Sequence, residues 1–153
     1  MRTPRSLPPA VRKLLVWSAV QAVLVAAGRL VARRKDEGDE TTAGIRRVRA
    51  LGEVTLRPVN PGLSRVRLDL VMAGGVLDLT AVPHVPGGID VTVRVLMGGM
   101  AVRVPKDWRV WWHFRGVGGV GSEAERTSDE AGADLRLHVQ AVFGGVGIEG
   151  AEG

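Results

Sequence analysis

A short phrase, glycines between apolar residues, is written five times along this chain: LGEV at residues 51–54, AGGV at 73–76, MGGM at 97–100, VGGV at 117–120 and FGGV at 143–146. The starts lie 22, 24, 20 and 26 residues apart. A chain that repeats itself at a spacing in the twenties builds stacked units, because each unit exposes an apolar face until a neighbour covers it. The first copy departs from the pattern, with Glu53 where the second glycine is expected.

Between the phrases the dominant period is two. In IDVTVRV, residues 89–95, Ile89, Val91, Val93 and Val95 share one face while Asp90, Thr92 and Arg94 share the other. VRLDL (66–70) and DLRLHV (134–139) repeat the scheme, with Leu68, Leu70, Leu135, Leu137 and Val139 inward. These are half-buried strands, and no stretch after residue 44 has a helical period. Glycine suits a backbone that turns with positive φ or passes close to another strand. The pairs Gly74–Gly75, Gly98–Gly99, Gly118–Gly119 and Gly144–Gly145 are therefore read as structural corners. The expected fold is all-β, a short right-handed single-stranded β-helix, or solenoid, of about five GG-marked repeats. A two-sheet sandwich would alternate in the same way, but the even spacing of similar corners favours the solenoid. Pro58, Pro61, Pro83, Pro86 and Pro105 fall between strands, where a missing N–H costs nothing. The loop at 121–134 is the longest insertion and is expected to be the most mobile part of the domain.

At 153 residues the chain has room for one ordinary domain and an appendage. A net charge of +5 raises the question of a nucleic-acid or anionic-membrane partner. Its placement answers part of that question: residues 1–35 hold eight Lys or Arg and no acid, whereas residues 36–153 hold thirteen basic and sixteen acidic residues. The basicity belongs to the N-terminal segment. There is no cysteine, which excludes disulfides, Cys-ligated zinc and thiol catalysis. Eighteen of the twenty-one basic residues are Arg, and with abundant Val, Gly and Ala this fits a high-GC, actinobacterial-like composition.

Residues 14–32, LLVWSAVQAVLVAAGRLVA, form the longest apolar run. Up to Ala27 its only polar residues are Ser18 and Gln21, so a helix here is apolar all round and suits a bilayer or a deep core. Nineteen residues rising about 1.5 Å each span roughly 28 Å, close to the hydrocarbon thickness of about 30 Å. The expected organisation is a transmembrane anchor within 1–35, a charged linker at 36–44 and a solenoid domain at 45–150. Arg12 and Lys13 flank the anchor on one side and Arg29, Arg33, Arg34 and Lys35 on the other, Arg29 snorkelling to the headgroups. A cleaved signal peptide, with VAA at 25–27 as its cleavage site, and a buried helix of the domain are the competing readings. Four basic residues on each flank leave the orientation open.

An apolar helix, a charged linker and several hGGV units together resemble the C-terminal domain of LiaF-like proteins of the cell-wall-active antibiotic response. More loosely, they resemble the toastrack and bactofilin-like β-helices. The resemblance covers about residues 45–150 and rests on VMAGGVLDL (71–79), VLMGGMAVRVPKDWRV (95–110) and AVFGGVGIEG (141–150). The stretch VRVPKDWRV (102–110) is its most specific part. The resemblance implies a short right-handed β-helix and membrane-associated regulation or sensing of envelope stress, often by restraining a sensor kinase, without catalysis. The family's best-known members carry several transmembrane helices before the domain, whereas this chain has room for one.

Catalytic, cofactor and metal motifs are weak here. GVGGVG (116–121) matches a dinucleotide-binding string, but a polar loop follows in place of a helix, and Ala141 stands where the acidic residue belongs. His84, His113 and His138 are scattered singly, without metal-ligand spacing. Glu123, Glu125, Asp129, Glu130 and Asp134 crowd one loop but lack a calcium-loop pattern, and a solvated charged loop is the expectation. Ser64 and Ser122 have no nucleophile-elbow context. No cofactor, metal ligand or catalytic residue is assigned.

The aromatic run WRVWWHF (108–114) offers a candidate interaction surface. With period two, Trp108, Val110, Trp112 and Phe114 face the core or cap it, while Arg109, Trp111, His113 and Arg115 face outward. An exposed Trp among arginines is characteristic of interface hot spots and membrane-interface belts. Burial of Trp111 under the long loop is the alternative.

The functional expectation is a non-catalytic, single-pass, membrane-anchored binding or regulatory protein of the bacterial envelope, with its solenoid on the cytoplasmic side. Its partners would be the bilayer and a protein, such as a membrane sensor kinase. A self-assembling, bactofilin-like scaffold is the alternative. Nucleic acid is not an expected partner, since the basic clusters bracket an apolar run.

Overall fold

The computed structural model describes residues 11, 17–19, 21–23, 26 and 36–152. The described residues before 36 are helical, and among the described residues no helix is long and apolar enough to cross a membrane. Most of the expected span at 14–32 lies outside the described residues, as do Arg12, Lys13, Arg29, Arg33, Arg34 and Lys35.

Five strands follow: β1 (Gly44–Leu56), β2 (Arg65–Asp78), β3 (Ile89–Pro105), β4 (Val110–Ser122) and β5 (Leu135–Ala151). All neighbours pair in parallel, in the order β1-β2-β3-β5-β4. Within β1, β2, β3 and β5 the alternation of buried and exposed residues changes phase once, whereas β4 keeps even-numbered residues inward throughout and follows β5 round the bend through a register shift between Val117 and Gly118. In β3, Ile89, Val91, Val93 and Val95 are buried, residues 96–99 are exposed, and Met100, Val102 and Val104 are buried again. Odd-numbered and then even-numbered side chains enter one core only if the strand bends round it between them. β5 does the same with Leu135, Leu137 and Val139 before the bend and Val146 and Ile148 after it. Each strand therefore contributes two legs, and Leu63, Leu79, Val82 and Trp108 from the connections join the same core. Stacked legs around one apolar column make a parallel β-solenoid. Each fully buried Val or Leu contributes about 1.5–3 kcal/mol relative to exposure.

Side-chain burial, not the glycine phrase, sets the register. β1 and β2 pair at an offset of 21 (Leu51 with Met72) and β2 and β3 at 25 (Leu70 with Val95), each one residue away from the spacing of the phrases. Pairing the phrases themselves would set Leu70 opposite Arg94 and turn one strand's apolar set to solvent. In β3, β5 and the far leg of β4 the two agree, with Gly98, Gly144 and Gly118 side by side.

The stacking order departs from the chain order. β5 lies between β3 and β4, so the last two units are exchanged relative to simple sequential stacking. Four residues, 106–109, carry the chain past one strand position, and the loop at 123–134 brings it back by one. That loop is held by backbone hydrogen bonds. Val110 N–H donates to Glu125 O (2.8 Å), Thr127 N–H to Val110 O (3.0 Å) and Glu123 N–H to Ile148 O (2.8 Å).

Both ends of the stack are covered in part. At the β1 end, the inward positions beyond Ile45 hold Arg47 and Arg49 in place of aliphatic residues. Their guanidinium groups grip the preceding segment, Arg47 donating to Gly38 O (2.8 Å) and Arg49 pairing with Asp36 (2.7 Å). Glu37 and Arg46 exchange backbone hydrogen bonds, so the expected linker at 36–44 is an end clamp on β1. At the β4 end, Trp112 and Phe114 are partly buried against the core, and the Arg126 guanidinium lies 4.1 Å from the Trp112 ring centroid. Beyond Phe114 the outer edge of β4 meets no further strand among the described residues.

Candidate functional site

The bend between the legs is where the backbone is most constrained. Gly98 (φ 142°) and Gly118 (φ 140°) adopt conformations open to glycine, and a Cβ at either would collide with the carbonyl of Ala73 or Gly144. Gly74, Gly75, Gly99, Gly119, Gly144 and Gly145 share this bend region. Just before the glycines the alternation fails, because two adjacent apolar residues cannot both point inward. The register stacks the surplus ones into an outer ridge.

One row of the ridge pairs Leu51 with Met72 and Met72 with Met97. Phe143 continues it, held beside Met97 by the pairings of Val95 with Ala141 and Gly98 with Gly144. A second row joins Val71, Leu96, Val142 and Val117. All eight are exposed, with Phe143 at 70 %, Val117 at 58 % and Met72 at 55 %. Phe143 is also the only described non-glycine residue with positive φ (57°), because β4 skips it in pairing Val117 with Val142 and Gly118 with Gly144. Five strands spaced about 4.8 Å apart make the ridge roughly 19 Å long. Contiguous exposed apolar surface of this kind marks an interaction site more often than scattered single residues do.

Beside the ridge, the outer face of the first leg is basic. Reading across the strands, one row runs Arg46, Arg67, Thr92, His138 and His113, and the next runs Val48, Asp69, Arg94, Gln140 and Arg115. A third row holds Arg65, Asp90, Arg136 and Trp111. Six arginines face two aspartates. Asp69 lies 3.6 Å from both Arg46 and Arg67 and offsets their mutual repulsion. Asp90 accepts a 2.6 Å hydrogen bond from Arg136; that bond holds the Asp90 carboxyl below the ordinary carboxylate range and raises the guanidinium's own value. Arg94 and Arg115 have no ion pair among the described residues. A shallow groove of about 500 Å³ runs between these two arginines and Val71, Leu96 and Val142.

The aromatic candidates separate in the structure. Trp111, His113 and Arg115 share the outward face of β4. Trp111 is half-buried, stacked on His113 (centroids 6.3 Å apart) and edge-on to His138 (5.3 Å). Arg109 precedes the strand and turns to the loop closure, its N–H donating to Asp134 (2.7 Å) and its Nε 3.6 Å from the same carboxylate. Asp134 is buried, and His84 Nδ1 lies 3.4 Å from its other oxygen. It is therefore a structural tie and not part of a solvated acidic loop. Among the described residues no group of three or more His, Cys, Asp or Glu is placed to hold a metal ion.

Sequence reasoning singled out Trp111 and missed the ridge. The available signal was the unbroken apolar run ahead of three of the four glycine pairs: Leu70-Val71-Met72-Ala73, Val95-Leu96-Met97 and Ala141-Val142-Phe143. The fold and these surfaces define a parallel β-solenoid that displays side chains in rows across its faces. No protein-family model, curated protein or solved structure matches the chain.

Proposed function

We propose that this chain is a non-catalytic, membrane-anchored binding or regulatory protein of the bacterial envelope, resembling LiaF-like response proteins. The anchor is residues 14–32, the coil is right-handed, as parallel crossovers overwhelmingly are, and the solenoid stands on the cytoplasmic side. The observation that supports this reading best is the display of ordered rows of Arg, His and Trp across the flat first leg, an arrangement suited to gripping an extended surface. Its protein partner, by the resemblance, is a membrane sensor kinase; Trp111, His113 and Arg115 are the contact residues.

The test is protease protection of C-terminally tagged protein in spheroplasts. Protection that vanishes on lysis supports the cytoplasmic reading, whereas digestion in intact spheroplasts overturns it. Trp111→Ala is expected to leave the unfolding free energy within about 1 kcal/mol of the parent and to reduce partner capture. A large loss of stability would mean that Trp111 is structural.

One observation favours a second reading. The glycine-rich edge of β4 beyond Phe114 is unpaired among the described residues, and such an edge templates pairing with another chain. A bactofilin-like scaffold would sediment as growing assemblies with rising concentration, whereas a regulator would remain small.

A further inference from the structure

The outer ridge and the arginine rows beside it have one chemistry in common. An apolar strip flanked by unpaired guanidinium groups is complementary to a bilayer surface carrying anionic headgroups: apolar side chains enter the acyl boundary while arginines meet the phosphates. We propose that the solenoid itself docks on an anionic lipid bilayer along this ridge, with Met72, Met97 and Phe143 inserted and Arg94 and Arg115 at headgroup level.

Two further features choose lipid as the occupant. The charge is one-sided. The first leg's outer face carries six arginines and two aspartates, whereas on the second leg Arg103 is matched by Glu149, and Asp78 by Arg57 just beyond β1. The chain also enters the domain beside the ridge. Asp36 is hydrogen-bonded to Val48 N–H (2.8 Å) and Arg49, two residues before Leu51, where the ridge begins. The residues just before it, Arg33, Arg34 and Lys35, follow the apolar run. An anchor ending there would deliver the solenoid to the headgroups with its ridge nearby, so the proposal deepens the membrane-anchored reading and rests on it. Phe143 fits the same role, held outward in a backbone conformation that bulky residues seldom adopt.

The experiment uses the full chain, whose lack of cysteine allows single spin labels at Phe143→Cys, Met97→Cys and, on the outer face of the second leg, Thr55→Cys. Each is reconstituted with phosphatidylcholine vesicles, with and without phosphatidylglycerol. Collision accessibility to oxygen and to a water-soluble nickel chelate is then measured. With phosphatidylglycerol, labels 143 and 97 are expected to gain oxygen access and lose nickel access, while label 55 stays in water. Arg94→Glu with Arg115→Glu is expected to shift the docked fraction at label 143 by about tenfold or more.

Four outcomes overturn the proposal. Ridge labels in water on a chain that still pellets with vesicles would remove the docking and keep the anchor. A chain left in the supernatant would remove both. Equal immersion in neutral vesicles would remove the anionic requirement. Concentration-dependent broadening at label 143 without vesicles would show that a second copy covers the ridge.

Discussion

Phe143 and Gly98 are neighbours across the bend, yet substitutions at the two should act in opposite directions. Phe143 is exposed and sits at φ 57°, so Phe143→Gly removes backbone strain while giving up little packing. A gain of roughly 1 kcal/mol in a denaturant titration is expected. At Gly98 the added Cβ of Gly98→Ala meets the Ala73 carbonyl, and a loss of at least about 2 kcal/mol is expected in the same titration. Asp90 belongs to this scale too. Its carboxyl is held below its ordinary value of 3.8 by Arg136, so the bond contributes stability that is complete above that value and is lost as pH falls through the lower folded value. Asp90→Asn should flatten the acid limb of a stability–pH profile below about pH 4. An unchanged limb would assign acid sensitivity to other carboxylates.

At the scale of elements, the exchange of β4 and β5 decides which strand is the interior one. β5 is last in sequence but pairs on both sides, with β3 and β4, whereas β4 has one neighbour. Amides of β3 and β5 should therefore exchange slowest and those of β4 among the fastest, since edge strands open without global unfolding. Hydrogen exchange followed by mass spectrometry would read this directly; equal protection in β4 and β5 would contradict the order. Leu137→Ala, fully buried in the first leg of β5, should cost about 2–5 kcal/mol. The β4 end depends on a smaller contact. Arg126→Ala removes the cation over Trp112 and is expected to cost about 1 kcal/mol in a denaturant titration.

For the molecule as a whole, every pairing between the five strands joins residues at least 21 positions apart, and β3 with β5 joins residues 46 apart. Loop closure must precede the burial that rewards it, so folding is expected on the millisecond-to-second scale in stopped-flow fluorescence. Microsecond folding would mean that local structure dominates. The same long-range pairing builds the surface. Arg46, Arg67, His138 and His113 are spread over more than ninety residues of sequence and lie in one row only because four pairings coincide.

The period-two alternation of Ile89 to Val95 and Leu135 to Val139 carried in the sequence which side chains face the core. The recurrence of glycines carried that the strands stack and bend. Both are local properties, set by the pleat and by the steric freedom of glycine, and so they are legible in one chain read alone. The one-residue offsets between phrase and register, the place of β5 and the outer ridge were decided by tertiary structure. Register follows the burial of many side chains at once, the order of β4 and β5 is not set by connection length, since four residues cross two strand spacings and a long loop crosses one, and a row across strands exists only after both are settled.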